Sequence, residues 1–253
     1  GMGVGLTLGE LSGVIYMIGA YARDRWDTTV QPWPRERRHD PSPSDLPAMF
    51  RLAVPITASR LLASVSWTLS AIIIPRNLEV AGSTQSQATS LYGQLTGMAF
   101  PILTAPSIIT YALSYNLVPA ISAAYSRRDI ASIEALLSRS LKITQVVALP
   151  AAVCLYLLAE PVSLLAFNLR EPGVPLAILA LASPFLHFEA VMSGVLQGLG
   201  KPALVLKNFA IGETLSLLAI YLLTPPMGIR GAAIGIMVGT VVEGIMDYVS
   251  TMN

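Results

Sequence analysis

One cysteine, Cys154, and two histidines, His39 and His187, stand in a chain of 253 residues. A single thiol excludes an internal disulfide framework and a cysteine-based metal cluster, and two histidines far apart in sequence do not read as a multi-histidine metal site. Charged residues make up 12% of the chain, about half of what soluble domains carry. The formal net charge of +1 is too small to point to a nucleic-acid partner. Catalytic signatures are also missing. There is no P-loop, no GxGxxG opening a helix, no nucleophile–base pair and no cluster of metal ligands. GLGKP at 198–202 has part of a phosphate loop's composition, but it lacks the spacing and sits between two apolar stretches. The residues therefore read as a non-enzymatic chain without cofactor or resident metal.

What the sequence has instead is apolar length. Hydrophobic residues reach 53%, mean hydropathy is +0.62, and with aromatics at only 7% the apolar content is mostly Leu, Ala, Ile and Val. A membrane helix needs ~20 such residues to cross ~30 Å of hydrocarbon. Seven stretches qualify, at 2–22, 49–75, 89–124, 141–166, 175–199, 203–224 and 229–250. The reading is an all-α, polytopic membrane helix bundle whose first partner is the lipid bilayer. The third stretch exceeds one span and contains Pro101, Pro106 and Pro119, so it should bend, because proline removes a helical hydrogen bond. Residues 128–140 read as an amphipathic interfacial helix with Ile130, Ile133, Leu136 and Leu137 on its apolar face.

Basic residues alternate with these stretches. With the polar, proline-rich segment 23–48 in the cytoplasm, twelve of the sixteen Lys and Arg fall inside. Arg76, Arg170 and Arg230 fall outside, and Arg60 lies within a span. That asymmetry sets the orientation of a multi-pass membrane protein. An internal echo accompanies it: Gly1, Gly5 and Gly9 match Gly231, Gly235 and Gly239 at an offset of 230. Small residues at every fourth position let helices pack closely in lipid. If both stripes mark the last helix of a six-helix repeat, 1–22 closes a first lobe, 23–48 is a cytoplasmic linker, and 49–253 is a second six-helix lobe. The chain opens inside an apolar run, and the remainder of the first lobe is then an expected partner.

Several segments resemble a known family: LYGQLTGMAFPILTAPSIITYALSYNLVPAIS (91–122), GVLQGLGKP (194–202), LLTPPMGIRGAAIG (222–235) and RLAVPITASRLLASVSWTLSAIIIPRNL (51–78). Together they resemble the second half of the polysaccharide-transport, stage V sporulation protein B-like branch of the multidrug/oligosaccharidyl-lipid/polysaccharide exporter superfamily, near the lipid II flippases. The resemblance implies two six-helix lobes. It also implies flipping or export of lipid-linked oligosaccharide, polysaccharide or peptidoglycan precursors by alternating access, with a lipid-linked glycan as substrate.

Candidate residues come from polarity inside the spans. Arg60 lies nine residues after Arg51, or ~13 Å further along a helix. A charge at that depth faces a bundle interior or a watery cavity, and its planar fork suits a diphosphate. Thr57, Arg60, Ser64, Trp67 and Thr68 share one helix face, so Arg60, Ser64 and Thr68 are expected to line the cavity. Gln94 and Asn116, on the long bent helix, join them as substrate-contact candidates. Glu189 and Glu213, each mid-span, are candidates for coupling to an ion gradient. Glu243 and Asp247 stand at an i, i+4 spacing, with Asp247 expected at the interface, and His187 is expected to be interfacial or packed.

Two rival readings stay open. An acid-lined cavity without arginine would favour a multidrug or cation antiporter, and a chain with no transport of its own would be a truncated membrane scaffold. The orientation is directly testable in a Cys154→Ala background of the full-length protein in cells. A membrane-impermeant maleimide should label Arg170→Cys from outside and leave Arg127→Cys untouched, whereas equal labelling would refute the assigned topology.

Overall fold

The computed structural model describes residues 46–252, together with Tyr16 and Gly19. Apart from Tyr16 and Gly19, the expected first span at 2–22 lies outside the described residues, as does almost all of the 23–48 linker. The chain divides into two compact units, Gly1–Leu46 and Pro47–Asn253. The second unit is built from α1 (Leu46–Val80), α2 (Gln85–Gln94), a π-helical turn (Leu95–Ala99), α3 (Phe100–Thr104), α4 (Ser107–Ser126), α5 (Ile130–Leu157), α6 (Ala159–Phe167), α7 (Gly173–Gly198), α8 (Pro202–Met227) and α9 (Ile229–Met252). No strand occurs among the described residues, and six of the helices are long and apolar enough to cross a membrane. The molecule is thus a polytopic all-α bundle.

Proline explains where the long third stretch breaks. Pro101 and Pro106 cannot donate the bonds that would continue one helix. The chain responds with a π turn, in which the Phe100 amide reaches back five residues to the Leu95 carbonyl, and with a second break before Ser107. Thr84 opens α2 with a reciprocal capping box: its hydroxyl accepts from the Gln87 amide at 3.3 Å, and Gln87 accepts from the Thr84 amide at 3.0 Å. Further on, the division expected near residue 140 does not occur. Asp129 caps α5, its carboxylate accepting from the Ser132 amide, and the helix then runs unbroken to Leu157. Ile133, Leu136 and Leu137 pack on a core of Leu117, Ile121, Val191, Met192 and Val195. Residues 128–140 are therefore the start of a spanning helix with its apolar face against α4 and α7, a correction to the separate interfacial helix. Pro161, unable to donate to the Leu157 carbonyl, accounts for the break between α5 and α6.

Glycines set the closest approaches. On α9, a Cβ on Gly231 would collide with the Leu223 carbonyl, one on Gly235 would lie 2.6 Å from the Ile220 amide nitrogen, and one on Gly239 would lie 2.9 Å from the Gly212 carbonyl. The stripe read from sequence is thus the seam along which α9 lies on α8. On α7, a Cβ on Gly194 would collide with the Ser114 hydroxyl, and one on Gly198 would come within 2.7 Å of Ile121. Ser114 uses this proximity to donate to the Ala190 carbonyl. Between lipid-soaked helices no hydrophobic force operates, so such close backbone packing is what holds them.

The seam makes a clear prediction. Gly235→Leu should destabilise the detergent-solubilised full-length protein by about 1–3 kcal/mol or more, through forced separation of α8 and α9. Gly93→Ala, where a Cβ meets nothing within 4 Å, should be neutral or stabilising by roughly 1 kcal/mol. A thermal-shift comparison of the two variants reads the difference.

Candidate functional site

The seam between α8 and α9 also builds a polar chamber. Gly212 and Gly239 let the two backbones meet, and a Cβ on Gly212 would sit 3.0 Å from the Glu243 Cβ. Glu213, next to Gly212, and Glu243, four residues beyond Gly239, are thereby brought to one wall. Glu189 joins them from α7. These three carboxyls line a cavity of about 350 Å³ that carries no basic side chain among the described residues, with Ser66, Trp67 and Ser70 on the α1 wall and Tyr111 from α4. Trp67 stacks edge-on against Phe100 of α3, their ring centroids 5.3 Å apart. Among the described residues no three of His, Cys, Asp and Glu are placed to hold one metal ion.

A second cavity, of about 210 Å³, shares Tyr111 and Glu189 with the first and takes in Arg60, Ser59, Ser193 and Gln197. The two cavities therefore meet at Glu189, an acidic chamber on one side and an arginine on the other. Arg60 and Glu189 do not form an ion pair. The ion pair present among the described residues is Arg170–Glu160, at 2.9 Å on the exposed surface.

The sequence candidates separate accordingly. Glu189 and Glu213 come together in the larger cavity, and Arg60 lines the smaller one. Ser64 and Thr68 line neither and are exposed. The cavity-facing side of α1 runs through Ile56, Ser59, Ser66, Ser70 and Ile74, roughly a quarter turn from the face expected at 100° per residue. Arg60 and Trp67 sit on the border between the two faces. Thr68 turns its hydroxyl onto the Ser64 carbonyl at 2.9 Å, so it needs no interior partner. Asn116 likewise donates to the Ala112 carbonyl at 2.7 Å and is exposed. Gln94 ends α2, half-buried and away from both cavities.

Several residues were missed or misplaced. Glu243 belongs to the chamber, which only the α8–α9 contact reveals. Asp247 is fully buried rather than interfacial: its Oδ1 accepts from Asn208 at 2.7 Å, and its Oδ2 has no hydrogen-bond partner among the described residues. Asn208 also donates to Ser250 at 2.9 Å. The spacing Glu243–Asp247–Ser250 was the available signal, since it continues one α9 face. His187 is packed, with no exposed surface and its Nδ1 2.9 Å from the Thr110 hydroxyl.

No protein-family model matches the chain. Stage V sporulation protein B of Bacillus subtilis (strain 168) is 30% identical over 200 residues, 78% of this chain and 39% of that protein. Sporulation protein YkvU of the same strain is 26% identical over 152 residues, 60% of this chain and 34% of that protein. Among solved structures, an outward-facing multidrug resistance MATE family transporter of the MOP superfamily aligns with a TM-score of 0.75 at 20% identity, covering 96% of this chain and 53% of that one. An inward-facing one aligns at 0.66 with 19% identity, covering 84% and 48%. The chain is a homologue of stage V sporulation protein B on a MATE-type fold. The sequence likeness is to the branch that the motifs at 91–122 and 194–202 resemble, and the solved structures show the fold. This homologue spans about two-fifths of the length of stage V sporulation protein B and about half of the solved MATE chain it matches.

The Asn208–Asp247 pair yields a stability prediction. Asn208→Leu, which strands a buried carboxyl, should cost about 1–3 kcal/mol. Adding Asp247→Leu should recover much of that loss, because replacing both partners removes the unpaired group. Thermal unfolding of the three variants in detergent, as a double-mutant cycle, measures the coupling.

Proposed function

We propose that this chain is a lobe of a membrane exporter that flips lipid-linked oligosaccharide, polysaccharide or peptidoglycan precursors across a bacterial cytoplasmic membrane by alternating access. In this reading 49–253 is the second six-helix lobe, 1–22 the last helix of the first, and 23–48 the linker between them. The observation that carries the proposal is Arg60 on a cavity that adjoins the acidic chamber through Glu189 and Tyr111. A guanidinium facing a cavity offers a planar fork to a diphosphate head group. Three carboxyls gathered without a base require protons or mobile cations for charge balance, which suits coupling to an ion gradient through Glu189 and Glu213. Outward- and inward-facing MATE structures of similar fold support the alternating-access part.

A second reading rests on a different observation. The larger cavity carries acids and no base, which suits an organic cation exchanged for protons or sodium, as in a multidrug antiporter.

Reconstituted full-length protein separates the two. With a fluorescent undecaprenyl-diphosphate sugar in liposomes, Arg60→Ala should slow flipping on the order of tenfold or more, as expected for loss of a charged hydrogen bond. Arg60→Lys should retain part of the rate, and Glu189→Gln should weaken its dependence on the ion gradient. Organic-cation exchange without lipid flipping in the wild type would replace this reading with the antiporter, and neither activity would leave a membrane scaffold.

A further inference from the structure

Two arginines that the transport reading does not use border a groove between α4 and α5. Arg127 closes the C-terminus of α4, and Arg139 lies within α5. Both line a cavity of about 410 Å³ whose other walls include Ala120, Ala123 and Leu136. A further cavity of about 240 Å³ shares Ala120, Leu136 and Arg139, and continues to Leu113, Leu117 and Ile143. Short alanine side chains on facing helices leave this space open. From Arg127 to Leu113 the groove runs along fourteen residues of α4, ~21 Å at 1.5 Å per residue, more than one leaflet of a ~30 Å hydrocarbon core.

Charge is arranged along this length. Arg127 lies where two candidate spans, Ser107–Ser126 and Ile130–Leu157, meet at their ends; Arg139, nine residues into the second, lines both cavities, and beyond it the far end is apolar apart from Asn116 and Ser140. No acidic residue among the described ones lines either cavity. Asp129, at the head of α5, is engaged by the Ser132 hydroxyl at 2.6 Å and its amide at 3.0 Å. Those bonds, with the charge of Arg127, hold the Asp129 carboxyl below the usual range. Ser132 lines the groove, but its hydroxyl hydrogen is already given to Asp129, so the arginines are the donors available to a ligand there.

We infer that the groove binds one anionic phospholipid of the cytoplasmic leaflet. Its phosphate meets Arg127 and Arg139, and one acyl chain lies along Ala120, Leu117 and Leu113. Two cations lining one cavity that opens into an apolar channel complement such a lipid at both ends. A fully aqueous anion would leave the apolar channel unused, and a neutral lipid would leave the arginine pair without a net countercharge.

Native mass spectrometry of the full-length protein in detergent, titrated with phosphatidylglycerol and with phosphatidylcholine, tests this. Wild type should prefer phosphatidylglycerol on the order of tenfold, the size expected for two basic contacts. Arg127→Gln with Arg139→Gln should bring the two lipids to parity. Ala120→Leu, which fills the groove where both cavities meet, should weaken both lipids while thermal unfolding confirms a folded protein. Equal binding of the two lipids by wild type, or an unchanged preference in the double glutamine variant, would overturn the proposal. Displacement of phosphatidylglycerol by glycerol 1-phosphate at similar concentration would overturn it in favour of a plain phosphate site. Displacement by undecaprenyl phosphate at lower concentration would make the groove a substrate track instead.

Discussion

Hydrocarbon supplies no hydrogen-bond partners, and the rest of this structure depends on that. Every backbone amide within a span must be satisfied by its own helix, so Pro101, Pro106 and Pro161 meet local remedies: the π turn at Leu95–Ala99, the break before Ser107, and the break before α6. The same constraint acts on side chains. Thr68 and Asn116 satisfy themselves on their own helices, which frees them to sit on outward faces. Ser114, Asn208 and His187 instead find partners on neighbouring helices.

Because lipid tails are as apolar as leucine, helix association has to come from close packing and from such interhelical bonds. The glycine stripe of α9 therefore both packs the helices and shapes the chamber. It brings α8 and α9 together along Gly212, Ser216 and Ile220, and in doing so assembles Glu213 and Glu243 beside Glu189. An acidic chamber of this kind is a by-product of backbone proximity. It would disperse if the seam opened, even with every carboxyl still present.

Opposite charges stay unpaired around the two cavities. The larger chamber holds acids without a base, Arg60 occupies the adjoining cavity, and Arg127 and Arg139 border the groove on α4 and α5. Salt bridges that would cancel these charges are not made within the chamber, so each region retains a distinct electrostatic character. Under the proposed function, a permanently paired arginine would have no fork to offer a head group.

Sequence alone determined the class. Apolar runs of membrane length, alternating basic connections and a small-residue stripe are one-dimensional signals, and each reflects bilayer thickness, orientation or helix packing. Five of the spans read from sequence correspond to spanning helices within a few residues to about a dozen, and a sixth to the broken run from α2 to α4; the seventh lies outside the described residues. The sequence also marked Glu189, Glu213 and Arg60, because ionisable groups inside spans are rare. Tertiary structure alone decided which polar groups meet. Ser64 and Thr68 share a wheel face with Arg60, yet the cavity side of α1 is set by how that helix sits on its neighbours, about a quarter turn away. Glu243 and Asp247 looked like an ordinary i, i+4 pair until the glycine seam buried one and turned the other into the chamber. Periodicity fixes the angle of a side chain on its own helix, whereas the rotation of that helix against the next is fixed by contacts between residues far apart in the chain.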